Sequence, residues 1–201
     1  EASHWLEKNW PLVAKGAAIP EGFIKPISII SLLLPVLLFA FEHWLWHTKW
    51  ARKLTRQPDL RGTWRGTYQS SHVDPETHET IKPREVVMVI SQTYSGLHLR
   101  QLTPESSSIT MAATLADEED GRHTIWGVYR NQPKIERRAQ SPIHRGGLEL
   151  AIAGPDEAQL EGEYWTDRKT HGSLALSLVS RTKARDFASA QALPAEAALH
   201  G

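Results

Sequence analysis

The chain contains no cysteine, which excludes disulfides, thiolate metal centres and cysteine nucleophiles. The absence fits a reducing compartment. Charge of one sign is missing too: Lys+Arg and Asp+Glu stand at 23 each in 201 residues. No global field therefore recruits DNA, RNA or an acidic surface. Over residues 57–183 the count is 15 basic against 17 acidic, a net of −2, so an anionic ligand must be met by a local cluster of Arg or Lys. No glycine loop or dinucleotide fingerprint follows a strand-like segment. Nor can a nucleophile–base pair be assembled. Residues 167–171 hold an acid, a base and a hydroxyl, but nothing elsewhere matches them at a recognisable spacing. His43 and His47 stand four apart without a third ligand and read as interfacial aromatics rather than a metal site. The residues ask for no catalytic group, metal or cofactor.

What is present begins with a long apolar run. Residues 27–41 carry no charge and would span about 22 Å as a helix. Continuing to Trp46 brings the length to about 30 Å, the thickness of a bilayer's hydrocarbon core. Pro26 suits a first helical turn, and Pro35 predicts a kink of the kind that lipid-embedded helices tolerate. Trp44, Trp46 and Trp50 read as an interfacial aromatic belt, and Lys49, Arg52, Lys53 and Arg56 follow, which predicts that this end faces the cytoplasm. The run is late and is followed by basic residues, unlike a signal peptide.

Beyond Gln57-Pro58-Asp59 the pattern changes to short alternating segments. Eight strands are expected, at 60–69, 82–93, 96–103, 106–116, 122–131, 144–153, 158–166 and 172–181, separated by turn-grade residues. Two longer polar stretches, 72–80 and 132–142, read as loops. Nearly every strand has one apolar face: Leu60, Trp64 and Tyr68; Val86, Met88, Ile90 and Gln92; Ile125, Tyr129 and Asn131; Leu160, Tyr164 and Thr166; Leu174, Leu176 and Leu178. One common interior follows. The expected fold is all-β, an eight-stranded antiparallel β-barrel preceded by a transmembrane α-helix, with room inside for side chains or one small ligand. Residues 1–23 are expected to be extracytoplasmic or interfacial, 24–50 the transmembrane helix, 57–183 the cytoplasmic barrel and 184–201 an Ala-rich tail.

The inward set is not uniformly apolar. Tyr68, Gln92, Tyr129, Asn131, Tyr164 and Thr166 are placed toward strand ends, as at the mouth of a ligand site. The tyrosines read equally well as core residues with hydroxyls at the rim. Arg168 and Lys169 also have two readings: a guanidinium and an ammonium that hold phosphate, or two solvated turn cations. Trp64 in Gly62-x-Trp64-x-Gly66 is similar to the tryptophan that closes the floor of lipocalin-type barrels.

One apolar span, then Leu60-x-Gly62-x-Trp64-x-Gly66-x-Tyr68, then Tyr129-x-Asn131-x-Pro133, then Gly162-x-Tyr164-Trp165-Thr166-Asp167-Arg168-Lys169-Thr170-x-Gly172: this order resembles the CD-NTase-associated protein 15 family. These are two-transmembrane, β-strand-rich effectors of bacterial CBASS anti-phage defence. The resemblance implies a barrel that binds a cyclic dinucleotide made by a partner CD-NTase nucleotidyltransferase. Binding then drives self-association and disruption of the inner membrane, killing the infected cell. Where the family has two spans this sequence shows one apolar run; a first span ahead of Glu1 would put residues 1–22 in the connecting loop. With such a ligand, Tyr129 and Tyr164 are expected to stack on bases, Asn131 and Thr166 to read base edges or ribose, and Arg168 to hold phosphate. Tyr68, Trp165 and Lys169 complete the expected site. The competing expectation is a membrane-tethered, lipocalin-like carrier with a dry aliphatic pocket.

Overall fold

The computed structural model describes residues 21–71, 73, 80, 82–119, 121–154 and 157–194, with the side chains of the first helix described from Ile29 onward. The expected 1–23 segment, most of the 72–80 loop and the end of the tail fall outside these residues. The chain divides into two units at Leu45 and Trp46.

The first unit holds helix α1, Glu21–Ala40, followed by a π-helical turn, Phe41–Leu45. The helix continues through Pro35, and Pro26 lies inside it rather than in a first turn. From Ile29 to Phe39 its large apolar side chains are exposed, with no polar stripe of the kind a soluble amphipathic helix presents. Among the described residues no single helix is long and apolar enough to cross a membrane; Ile29–Leu45 and Lys49–Thr55 pass that test only together, by length and composition. The helix expected over 24–50 is interrupted at 46–48, where Thr48 is extended and starts a new helix.

The second unit opens with Trp46 and the short helix α2, Lys49–Thr55, which ends on Arg56 in the left-handed region. Trp46 is wholly buried, with the Arg61 guanidinium 5.4 Å from its ring centre. This removes it from the expected aromatic belt, because the interruption turns it into the barrel unit. Trp44 and Trp50 remain exposed.

Eight antiparallel strands close on themselves in sequence order: β1 Gly62–Ser70, β2 Arg84–Gln92, β3 Leu97–Leu102, β4 Ser106–Asp117, β5 His123–Pro133, β6 His144–Ala153, β7 Gln159–Thr166 and β8 His171–Ser180. Alternation sends Trp64, Val86, Met88, Ile90, Ile125, Leu148, Leu150, Leu160, Leu174 and Leu176 into one core, as a period of two requires. The weakest seam is β3–β4, paired only from Arg100–Leu102 to Ser107–Ile109. Thr110 extends it: its hydroxyl accepts from the Leu99 amide (2.9 Å) and donates to the Leu99 carbonyl (3.2 Å). The register of β4 against β5 shifts between Thr110 and Ala112, a bulge that adds local coiling.

The floor of the barrel is filled and hydrogen-bonded. Trp64 is fully buried and donates its indole N–H to the Leu60 carbonyl at 2.9 Å. Gln92 accepts from the Leu60 amide (2.8 Å) and donates to the Pro58 carbonyl (3.0 Å). Its expected place among the mouth residues is thus corrected. Alternation gave its face, but β2 runs from mouth to floor and Gln92 is its last residue. Just below, Asp59 accepts two bonds from the Arg61 guanidinium, at 2.8 and 2.9 Å, while Arg181 donates to the Asp59 carbonyl at 2.7 Å.

The Ala-rich tail is partly built into the fold. Asp186 and Ser189 form a reciprocal cap for helix α3, Phe187–Gln191. Ala184 and Ala190, with Phe187 and Leu193, pack on Val87, Val89 and Leu102 from the outer face of β2 and β3.

Candidate functional site

The mouth is made from the C-terminal ends of the odd strands and the N-terminal ends of the even ones, with the connections that join each odd strand to the next. It holds a cavity of about 370 Å³, within the size range of small-ligand sites. Six of the eight residues expected from the sequence line it: Tyr68 on β1, Tyr129 and Asn131 on β5, Tyr164 and Thr166 on β7, and Arg168 in the β7–β8 turn. The other two, Trp165 and Lys169, are not part of the wall. Trp165 alternates outward and lays its indole over Gly147, its register partner on β6. Lys169 sits at φ 63°, in the left-handed position of the turn.

Glycines set where the tyrosine rings lie. Tyr129 pairs with Gly146 and Tyr164 with Gly172. A Cβ on Gly146 would come within 2.5 Å of the Tyr129 phenol, and one on Gly172 within 2.7 Å of the Tyr164 ring. Each ring therefore covers bare backbone on the neighbouring strand, the aromatic rescue of a sheet glycine. Tyr164 also meets Tyr68 edge to face, with centroids 6.4 Å apart. The result is a fixed wall of three half-buried or buried phenols.

Burial pushes the Tyr129 phenol well above its ordinary range, with Tyr164 and Asp167 adding to the effect and Arg168 opposing it. Burial also raises Tyr164, against a hydrogen bond from Ser70. Both therefore remain neutral hydrogen-bond donors at physiological pH. Asn131 accepts from Ser108 at 2.9 Å through its carbonyl oxygen, which leaves the amide N–H groups as its donors toward the cavity.

Thr166 is engaged differently. Its hydroxyl meets that of Thr170 at 2.7 Å and accepts from the amides of Arg168 and Thr170 at 3.3 Å each. It thereby shapes the turn that carries Arg168. Asp167 does the same from outside, accepting from the Arg145 amide at 3.0 Å. Held in this way, Arg168 donates to the Ser141 hydroxyl of the neighbouring β5–β6 connection at 3.1 Å.

Residues 55–177 match the family described as the Cap15 cyclic dinucleotide receptor domain. The chain belongs to that family. It is also 26% identical, over 155 residues, to CD-NTase-associated protein 15 from Staphylococcus schleiferi, an alignment covering 77% of this chain and 80% of that protein. The receptor-domain match runs through β1 to most of β8, and so takes in every wall of the cavity.

Several wall residues of this receptor domain were not found from the sequence. Arg84 opens β2, Glu105 sits in the β3–β4 turn, Arg137, Gln140 and Ser141 come from the β5–β6 connection, and His144 opens β6. That connection, expected as a plain loop, contains a 3-10 turn, Ile135–Arg137. With Arg168, the mouth carries three arginines and one glutamate, although the domain as a whole is slightly acidic. This local cationic cluster is assembled from a strand start, a 3-10 segment and the β7–β8 turn. Among the described residues no cluster of His, Asp or Glu could hold a metal ion.

Proposed function

We propose that this chain is a membrane-anchored CBASS effector whose barrel binds a cyclic dinucleotide, made by a partner CD-NTase, in the mouth cavity. Binding promotes self-association and disrupts the bacterial inner membrane, with the barrel on the cytoplasmic side. The observation that carries the binding half is the composition of the mouth: fixed phenols beside Arg84, Arg137 and Arg168, in a chain of the receptor family. A cyclic dinucleotide offers two flat bases and two phosphate charges. Stacking contributes about 1–3 kcal/mol per base and each charge-assisted hydrogen bond about 1.5–3 kcal/mol. Two of each total about 5–12 kcal/mol before association costs, and micromolar affinity, about −8 kcal/mol net, needs the upper end of that range.

The membrane half is supported by α1, apolar around its circumference, and by the basic run that follows it. For ligand to drive assembly, it must bind the assembling state more tightly than the resting one, since equal affinity shifts nothing. A polar, cationic wall argues against a carrier of apolar ligands. Calorimetric titration of the full chain in detergent with cyclic dinucleotides, beside displacement of a fluorescent fatty acid, separates these readings. The proposal expects heat with the nucleotide and no displacement. For the membrane step, liposomes carrying the protein should leak only when that nucleotide is added; leakage independent of nucleotide would reject coupling.

A further inference from the structure

At the mouth, Glu105 is shared by two arginines that are distant in sequence. Its Oε1 lies 3.1 Å from Arg137 and its Oε2 3.5 Å from Arg84. The carboxylate is held in place by its backbone. Thr103, Pro104, Glu105 and Ser106 form the β3–β4 turn, in which the Thr103 hydroxyl accepts from the amides of Glu105 (3.3 Å) and Ser106 (2.9 Å). The Glu105 carbonyl accepts from the Lys134 amide at 2.9 Å, which ties the turn to the segment carrying Arg137. A strand start and two connections thus bring two guanidiniums onto one anion, all three residues lining the cavity.

Two guanidiniums converging on a pair of oxygens is also how a phosphate is held. We infer that Arg84 and Arg137 form a phosphate subsite that Glu105 occupies in the unliganded protein, so that an incoming phosphodiester must displace the carboxylate. The inference rests on the receptor reading above and assigns one ligand phosphate to this pair and the other to Arg168. Displacement is feasible for two reasons. All three side chains are about half exposed, and ion pairs of that kind are individually weak. A second recess of about 310 Å³, lined by Tyr68, Arg84, Thr103 and Glu105 among others, lies beside the bridge and can take the displaced carboxylate. The physical consequence is a threshold. A single weak phosphate contact gains little by replacing a carboxylate already there, whereas a ligand also anchored at Arg168 and on the phenols can do so.

The test is calorimetry on the full chain in detergent micelles with cyclic di-AMP, cyclic di-GMP, cyclic GMP–AMP and cyclic di-UMP. It compares wild type, Glu105→Gln, Arg84→Ala and the double variant. Glu105→Gln should bind the preferred nucleotide about three- to tenfold more tightly, the range set by two half-exposed ion pairs. Arg84→Ala should weaken binding in both backgrounds. Glu105→Asp, too short to bridge both arginines, should show a smaller gain and serves if the glutamine variant does not fold. Equal or weaker binding by Glu105→Gln, with wild-type binding intact, overturns the displaced-carboxylate subsite and leaves the receptor reading standing; a loss would mean that the carboxylate contacts the ligand itself. Failure of every variant and of wild type to bind any of the four overturns both.

Discussion

At the floor of the barrel Trp64 gives its indole proton to Leu60, Gln92 uses both ends of its amide on the adjoining backbone, and Asp59 is clasped by Arg61. At the mouth, 370 Å³ of open volume is bordered by three phenols and by ion pairs half exposed to water. At one end Trp64, Gln92 and Asp59 have their partners within the protein, while the other end lines an open cavity with phenols and half-exposed arginines. The strands are continuous between the two ends, so the difference comes from side chains and connections rather than from the sheet. Paired polar groups are concentrated at the floor, and the open cavity lies at the opposite rim. A substitution can therefore damage one without the other.

Four perturbations sharpen or break this contrast. The largest effect belongs to Trp64→Ala, which empties the floor and should cost about 3–5 kcal/mol in denaturant unfolding; a loss below 1 kcal/mol would mean that the floor does not hold the barrel closed. Next is Asp59→Asn. Burial raises the Asp59 carboxyl, but the hydrogen bonds and charge of Arg61, with the charge of Arg181, carry it below the ordinary carboxylate value. With the folded value below the unfolded one, its stabilisation is complete above the ordinary carboxylate range and is lost as pH falls through the folded value. The variant should therefore lose about 1.5–3 kcal/mol at neutral pH and show a flatter acid limb when unfolding is followed from pH 7 to pH 2.

Smaller in stability but large in binding is Arg168→Ala at the mouth. Its unfolding curve should match wild type while cyclic dinucleotide affinity falls about tenfold or more. Unchanged affinity would remove Arg168 from the site. The smallest effect is expected for Lys169→Gly, which relieves a left-handed residue and should change stability by no more than about 1 kcal/mol, in favour of the variant. Affinity should not change, because Lys169 is off the cavity wall.

The sequence carried the fold further than the site. Strand positions and inner faces were legible because a barrel with one apolar interior writes a period of two into every strand. Tyr68, Tyr129 and Tyr164 followed from the same parity. Parity says which face a residue occupies but not which end, hence Gln92 was grouped with the mouth although it closes the floor. The same parity places Trp165 outward once Tyr164 points in, so its inclusion followed the motif rather than the geometry. Arg84, Glu105 and Arg137 stayed hidden for a different reason. They meet only when a strand start, a turn and a 3-10 segment converge in three dimensions, and turns carry no periodicity. The break at 46–48 was also invisible, since Trp46 looks like any interfacial tryptophan until Arg61 is seen to cover it.

Amide hydrogen exchange of the full chain in detergent, with and without the cyclic dinucleotide that binds it, tests the division between the two ends most directly. Slowed exchange at the end of β1, in the Thr103–Ser106 turn and in the β7–β8 turn, with the amides around Leu60 and Gln92 unaltered, is the predicted result. Protection confined to the floor or to the outer face, with the mouth exchanging as before, would contradict it.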